Sequence, residues 1–228
     1  RKFRCVVIMI VKKIKNTKVE KPKVWQIGDL VDYIRYPYNR NPQEKIEYAG
    51  GKGFFSATHT GQKMEMIALA RESAHSNMPV QYWMFSWQES EQPTREQVEE
   101  LVDVFLEKMG LTGHQTVYGL HYDTDNYHLH IAVNRMNPDS GKVVQPHRGF
   151  DIREAHKIAA FIEHKQGWAG EENSMYAVLE DGELMRRRTA REIKPRQAAL
   201  DFEHAAGEKS AQRIAQERGH SAIKNAKS

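Results

Sequence analysis

The stretch TVYGLHYDTDNYHLHIAVNRM, residues 116–136, predicts a β-hairpin. Both halves are rich in the β-branched and aromatic residues that favour strands, and the polar Asp-Thr-Asp-Asn between them is typical of a tight turn. We therefore expect two antiparallel strands, Thr116–Tyr122 and His128–Met136, joined by that turn.

The second strand of this hairpin alternates between apolar and histidine side chains. Because residues two apart on a strand point to one face, His128 and His130 share a face. The opposite face carries side chains that can enter a core: Leu129, Ile131 and Val133. If the turn centres on Thr124 and Asp125, His121 lies directly opposite His128, and cross-strand partners point to the same side. Three imidazoles are then expected to converge on one point.

Three imidazoles on one face of one hairpin indicate a metal site. A single histidine on a strand is usually only a hydrogen-bonded side chain. Three that converge form a facial site with coordination positions left open, as a catalytic metal requires, so we expect these histidines to be metal ligands. Because a ligating imidazole usually donates its other N–H to a carboxylate or amide, Asp123, Asn126 and Asn134 are candidates for orienting them.

Hydrophobic spacing and turn residues predict further elements around the hairpin. The predicted helices are Trp25–Tyr36, Gly61–Ser73, Thr94–Met109 and Asp151–Gln166, the last capped by Asp151 and ended by Gly167. The predicted strands are Cys5–Val11, Tyr82–Trp87 and a short Lys142–Gln145, with a loop at Asn39–Gly53. This order predicts an α+β fold with a mainly antiparallel central sheet flanked by helices, in a two-layer sandwich.

The helix at Thr94–Met109 has the clearest boundaries. Thr94 and Gln97 have capping-box spacing, and Gly110 is a stop signal. Between them the apolar side chains recur at helical spacing.

Composition changes from Gly182 onward, where Arg, Ala, Gln, Glu and Lys dominate. We therefore predict one main domain over 1–180 and a basic, polar helical extension or linker over 181–228. The longest apolar run near the start, Cys5 to Val11, is far shorter than the ~18 residues that a membrane span needs. One cysteine among 228 residues excludes an internal disulfide and suits a reducing compartment, the cytoplasm.

Charge along the chain is uneven. The formal net charge is +4, and residues 1–24 contain nine Lys or Arg and one Glu. Such a distribution suits a polyanionic partner touched on one side, although solvated surface charge gives the same pattern.

The histidine string resembles a known motif. His128-Leu129-His130 is similar to the His-hydrophobic-His pattern of HUH endonucleases. The longer string H-x-D-x-x-N-x-H-x-H-x-x-x-N-R, residues 121–135, resembles the third motif of conjugative relaxases of the RP4-like (P) class. Residues 28–34, GDLVDYI, resemble the first motif of that class, in which a helix carries the nucleophilic tyrosine. Residues 85–94 resemble the second, in which a serine helps to hold DNA near the nick.

This resemblance, which covers roughly residues 20–165, implies a DNA relaxase domain. Such an enzyme nicks and rejoins one strand at an origin of transfer through a 5′-phosphotyrosine intermediate during conjugation. The resemblance points to Tyr33 as the nucleophile, with Tyr36 as the second choice and Asp123 as a further catalytic residue. It implies a divalent ion, Mg²⁺ or Mn²⁺, and as partners single-stranded origin DNA, accessory relaxosome proteins and a coupling protein.

DNA contacts are expected from basic and polar side chains near these motifs: Ser86, Arg135, Arg148, Lys12 and Lys13. We expect His147 and Arg148 to lie near the metal. Tyr82, Trp83 and Trp87 are candidates for stacking on bases, although aromatic residues in an apolar strand more often belong to a core.

Other functions fit part of this pattern. HUH replication initiators and transposases usually place the tyrosine after the histidine pair, whereas Tyr33 precedes it. A non-enzymatic metal-bearing DNA-binding module, or a hydrolase that uses water, would form no covalent protein–DNA adduct.

Overall fold

Five antiparallel strands form the central sheet of the computed structural model. They are β1 (Ile10–Ile14), β2 (Lys45–Lys52), β3 (Val80–Ser86), β4 (Thr116–Tyr122) and β5 (Tyr127–Asn134), in the spatial order β1-β3-β5-β4-β2. The structure describes residues 9–14, 22–39, 43–73, 76, 79–89, 91–122, 126–168, 174–179, 181–187, 201–205, 207, 209 and 214.

Helices cover both faces of this sheet. They are α1 (Lys23–Arg35), α2 (His59–Arg71), α3 (Arg95–Lys108) and α4 (Asp151–Gln166). Short 3₁₀ turns lie at Pro37–Asn39 and Pro146–Gly149, and two short strands, β6 (Tyr176–Val178) and β7 (Leu184–Arg186), form a separate ribbon. The α+β class, with an antiparallel sheet flanked by helices, is confirmed.

Two apolar cores hold the layers together. One lies between the sheet and the helices α3 and α4, and it includes Trp83, Phe105 and Leu129, all at most 1% exposed. The other lies between the opposite face and the helices α1 and α2, and it includes Ile34 and Ala132. The fold therefore has three layers, one more than the sandwich expected from sequence, because the histidine-bearing face is also packed against helices.

The β4–β5 hairpin has the predicted register. His121 lies directly opposite His128, and Leu129 lies opposite Leu120. Leu129, Ile131 and Val133 are fully buried under α3 and α4, as their alternation predicts.

Strand β2 occupies most of the segment that was predicted to be a loop, so that prediction was wrong. Its glycines indicated a turn, but they serve close packing. A Cβ on Gly50 would lie 2.4 Å from the ring of Tyr118, and one on Gly51 would lie 2.6 Å from Oε1 of Gln62. Glycine at these positions lets the edge strand pair with β4 beneath bulky neighbours.

Other boundaries differ in smaller ways. The segment Lys142–Gln145 makes one isolated bridge, Val143 to Met136, and is not a full strand. Asp151 is the first residue of α4 and not its cap, which is Phe150. The start of the predicted first strand lies outside the described residues, and β1 begins at Ile10.

Helices α1 and α2 each begin two residues before the predicted start, whereas the predicted start of α3 and end of α4 are confirmed. Thr94 forms both hydrogen bonds of a capping box with Gln97. Gly167, with φ 74°, ends α4 in the left-handed conformation that glycine adopts without strain. None of the helices in the described part of the chain combines the length and apolar character that crossing a membrane requires. By its internal contacts the chain divides into two units, Arg1–Met185 and Arg186–Ser228.

Gly119 in β4 permits the closest approach of α1 to the sheet. A Cβ at this position would lie 2.4 Å from the backbone oxygen of Ile34, near the end of α1. Real Cβ atoms are essentially never found so close to a backbone atom, so any larger residue must push the helix away.

We expect Gly119→Ala to lower the free energy of unfolding by about 1–3 kcal/mol, because overpacking here displaces backbone. Urea titration followed by circular dichroism measures this change. Gly28→Ala is the matched control, because its new Cβ would meet only Cδ1 of Ile67 at 3.6 Å, an ordinary contact. Alanine should stabilise that helical position by about 0.5–1 kcal/mol. Equal stability of the two variants would contradict the close-approach argument.

Candidate active site

Tyr33 lies at the centre of the candidate site. The apolar face of α1, which includes Ile27, Val31 and Ile34, is buried, and Tyr33 lies half-buried on its flank. Its ring meets the rings of His121 and His130 edge-on, with centroid distances of 5.3 and 5.4 Å.

The hydroxyl of Tyr33 donates to the carboxylate of Glu44. The distances from Tyr33 Oη to the two carboxylate oxygens are 2.9 and 3.1 Å. Glu44 is only 7% exposed and directly precedes β2. A buried carboxylate that accepts from a phenol is placed to take the phenol's proton.

His121 is fully buried, and a backbone contact fixes its ring. Its Nε2–H donates to the carbonyl oxygen of Ile34 at 2.9 Å, while Nδ1 lies 2.7 Å from Oε1 of Glu44. Because a carbonyl only accepts, Nε2 carries a proton. The Nδ1 lone pair of a neutral ring then points at the carboxylate, and a shared cation, either a proton or a metal ion, is needed between the two acceptors.

His130 presents its second nitrogen to the same point. Its Nδ1 lies 2.6 Å from the hydroxyl of Tyr82 on β3. Its Nε2 is buried, has no hydrogen-bond partner among the described residues, and lies 3.8 Å from Oε1 of Glu44. Burial, together with the nearby imidazoles of His121 and His128, holds the pKa of His130 well below its ordinary value. The ring is therefore neutral and keeps a lone pair for a ligand.

These three side chains fit a divalent metal ion. One ligand atom from each of Glu44, His121 and His130 lies within 4.8 Å of the other two. Two donor atoms that each bind one ion at ~2.1 Å are roughly 3–3.5 Å apart. In the structure, Oε1 of Glu44 lies 2.7 Å from Nδ1 of His121 and 3.8 Å from Nε2 of His130, so the observed distances bracket that range. The buried, unbonded Nε2 of His130 supports the same fit, because an orphaned polar atom in a core is otherwise costly.

Sequence reasoning missed Glu44. The residue lies 77 positions before its partner His121, in a segment whose glycines indicated a loop. Only the pairing of β2 with β4 brings it to the histidines, and no spacing within the sequence reveals that pairing.

His128 lies beside this group and not within it. It pairs with His121 across the hairpin, is half-buried, and its ring centroid is 6.3 Å from that of His130. Among the described residues, the group of three close ligand atoms contains Glu44, whereas the sequence predicted His128 as the third ligand.

Only two of the three residues predicted to orient the ligands lie in the described part of the chain. Asp123 lies outside the described residues, and Asn126 directly precedes β5. Asn134 lies four residues from His130, about 13 Å along the strand. Its amide is fully buried and bonds Gln115 and the Met66 carbonyl, so its side chain holds the far end of β5 and bonds neither His121 nor His130.

Two of the predicted DNA-binding residues lie on the face of the sheet that carries the histidines. Ser86 pairs with His128 in the sheet register, and its buried hydroxyl donates to the carbonyl of Trp87. Lys12 is exposed and lies in the same cross-strand row as Met84 and His130.

The other three predicted DNA-binding residues lie away from the face of the sheet that carries the histidines: Lys13, Arg135 and Arg148. Lys13 forms an ion pair with the buried Asp151 on the α4 side of the sheet, so it is not available to a phosphate at the histidines. The Nη1 of Arg135 donates to the carbonyl of Val144 at 3.1 Å and to Gln145 at 2.8 Å, which ties down the following loop.

The expected proximity of His147 and Arg148 to the metal is wrong. His147 Nε2 bonds the carbonyl of Lys108 at the end of α3, which packs on the opposite face of the sheet from the histidines. Trp83 and Trp87 are each 1% exposed and belong to the core, so they do not stack on bases.

The chain matches one protein family and is similar in sequence to two known proteins. Residues 38–168 match the family described as "Relaxase: MobA/VirD2-like, nuclease domain". The chain is 51% identical over 164 residues to the protein MobA of Acidithiobacillus ferrooxidans, covering 71% of this chain and 40% of MobA. It is 25% identical over 160 residues to a protein TraI of Escherichia coli, covering 70% of this chain and 21% of TraI. It therefore spans less than half the length of either relative.

Among solved structures, the chain is similar to a MobM relaxase domain in a manganese-bound crystal structure with plasmid pMV158 oriT DNA. The identity is 12% and the TM-score 0.47, over 83% of this chain and 99% of that one.

We expect the protein to bind one Mn²⁺, measured by isothermal titration calorimetry, and His130→Ala to abolish this binding. Glu44→Gln should weaken it at least about tenfold, because the amide oxygen carries no charge to offset that of the ion. His128→Ala tests the alternative ligand set and should change the affinity less than His130→Ala. His156→Ala, a histidine on α4, is the control. Unchanged affinity in both His130→Ala and Glu44→Gln would eliminate this site.

Proposed function

Because the chain belongs to the family of MobA/VirD2-like relaxase nuclease domains, we propose that it nicks and rejoins one DNA strand at an origin of transfer, with Tyr33 as the nucleophile. The observation that carries this assignment is the hydrogen bond from the Tyr33 hydroxyl to Glu44, beside the two buried histidines. A phenol needs activation, because its ordinary pKa near 10 leaves it protonated at neutral pH.

Glu44 accepts the proton of Tyr33 in this proposal. The freed phenolate oxygen attacks the scissile phosphorus, the bond to the 3′-oxygen breaks, and that oxygen leaves as a hydroxyl after taking up a proton. The 5′-phosphate stays on Tyr33. One phosphodiester replaces another, so the step is reversible without ATP, and the same residues can rejoin the strand.

Glu44, His121 and His130 would hold a divalent ion, which supplies a Lewis acid for the non-bridging oxygens of the phosphate. The protein's part is to fix the ligands. The Ile34 carbonyl sets the ring of His121, and the Tyr82 hydroxyl sets that of His130. Two imidazoles with one carboxylate favour Mn²⁺ over Mg²⁺ by ligand type, although Mg²⁺ is the more abundant ion.

The DNA strand would approach over β1 and β3, at the side of the sheet where Lys12 is exposed. In the register of the sheet, Met84 lies between Lys12 and His130, and Ser86 lies between Ile10 and His128. We propose single-stranded origin DNA as the substrate, accessory relaxosome proteins and a coupling protein as partners, and the bacterial cytoplasm as the location. Asp123 stays a candidate for proton transfer and Asn126 for contacts near the site, whereas Arg135 stays a candidate for a DNA contact away from it.

Incubated with Mn²⁺ and an oligonucleotide that contains its nick site, the protein should form a covalent adduct that survives SDS and carries the 3′ portion of the oligonucleotide. Tyr33→Phe should abolish the adduct and leave DNA affinity within about twofold, because it removes only the attacking oxygen. Denaturing gel electrophoresis measures the first effect and fluorescence anisotropy the second. Since the nick sequence must be known, the oligonucleotide is first identified by mapping cleavage on supercoiled plasmid.

Tyr36→Phe is the matched control. Tyr36 lies three residues after Tyr33 and caps the end of α1. It is 38% exposed, packs against His59 at the start of α2, and should retain full adduct formation on replacement by Phe. An adduct that persists in Tyr33→Phe and is lost in Tyr36→Phe would reassign the nucleophile. Cleavage of the DNA without a covalent adduct in any variant would instead favour a hydrolase that uses water. Binding of the DNA without cleavage would favour a non-enzymatic DNA-binding module.

A further inference from the structure

A basic pocket lies at the start of α4, away from the histidines. It has a volume of about 490 Å³ and is lined by His147, Arg148, Phe150, Arg153, Lys157 and Tyr176, with Glu154 at its side. Three permanent cations and one carboxylate line the pocket, so its net charge is positive. The metal-site chemistry described above does not involve any of these residues.

The cations of this pocket differ in how they are engaged. Lys157 forms an ion pair with Glu154 at 3.0 Å, one turn away on the same helix. Arg148 and Arg153 are exposed, and neither guanidinium forms an ion pair with another residue in the described ranges. Two guanidinium groups that open into one concavity suit an anion with several oxygens, such as a phosphate.

Aromatic rings accompany the cations. Phe150 is 60% exposed, and the guanidinium of Arg153 lies 5.3 Å from its ring centroid. The ring of Tyr176 is buried in the pocket wall beneath Lys157. An exposed ring next to free guanidinium groups is the combination by which proteins bind unpaired nucleotides, with the base stacked on the ring and the phosphate on the cations.

The pocket is distant from the metal site. Asp151, at the start of α4, bonds Gln81, whose strand partner Val133 lies three residues, about 10 Å, from His130. Moreover, α4 packs on the opposite face of the sheet from the histidines. A single nucleotide cannot reach both places, but a longer strand that passes around the sheet can.

We propose that this pocket is a second binding site for single-stranded DNA, which holds a nucleotide of the strand outside the segment that reaches Tyr33. The inference rests on the proposed function only in taking the same DNA strand as the ligand. It assigns to Arg148 a DNA contact remote from the metal, and to Arg153 and Phe150 roles in phosphate and base binding.

The test compares the affinity for a short and a long oligothymidine, of about 6 and about 30 nucleotides, which bracket the roughly 4–16 nucleotide sites typical of single-strand binders. In Arg148→Gln/Arg153→Gln, the affinity for the long oligonucleotide should fall about tenfold. The slope of log affinity against log salt should decrease by about 1.4, which corresponds to two lost phosphate contacts. Phe150→Ala should lower the affinity without changing the slope. Arg71→Gln, which removes one exposed positive charge at the end of α2, is the control for a general effect of charge.

An affinity for the long oligonucleotide that is equal in the double variant and in the unmodified protein would overturn the proposal. So would equal losses for the double variant and for Arg71→Gln, because they would indicate only a general effect of charge. Crosslinking of a bromouracil-substituted strand to a peptide that contains Phe150 should occur in the unmodified protein and disappear in the double variant.

Adduct formation separates this proposal from the proposed function. The double variant should still form the Tyr33 adduct with a short oligonucleotide that contains the nick site. If the unmodified protein forms no adduct but the double variant loses affinity for the long oligonucleotide, the pocket proposal stands and the nuclease proposal fails. If the adduct forms and the double variant keeps its affinity for the long oligonucleotide, the nuclease proposal stands and the pocket proposal fails.

Discussion

The contact between the Ile34 carbonyl and His121 is the constraint on which the rest of the site depends. It joins the end of α1, which carries Tyr33, to the strand that carries the first histidine. The contact forms only because Gly119 lets the helix backbone reach the sheet. It also fixes the proton on Nε2 of His121, so that Nδ1 is left for Glu44. One backbone oxygen thereby positions Tyr33, the proposed nucleophile, and sets the protonated nitrogen of His121, a proposed metal ligand.

The hairpin and its register could be predicted from the sequence because both depend on local patterns. Alternation placed Leu129 in the core and His130 on the opposite face, and the turn residues set His121 opposite His128. The resemblance to relaxases, confirmed by the family match over residues 38–168, also followed from this local string. The position of Tyr33 beside the histidines agrees with the first motif of that class.

The errors came from contacts between residues far apart in the chain. Glycine at 50 and 51 indicates a loop unless the ring of Tyr118 and the side chain of Gln62 are known to lie against it. Glu44 was missed for the same reason. Lys13 looked free in the sequence because its partner Asp151 lies 138 residues away. The positions of His147 and Arg148 depend on which face of the sheet α4 covers, and sequence order does not settle that.

Strand β2 lies at the edge of the sheet and pairs there with β4 alone, yet the residue that precedes it completes the site. Edge elements open locally at a lower free-energy cost than the centre of a sheet. Local opening of β2 would withdraw Glu44 from His121 and His130, which lie on the inner strands β4 and β5. The proposed cleavage of DNA is thereby tied to the docking of an edge strand, so a chain in which β2 is undocked would bind a DNA strand and leave it intact.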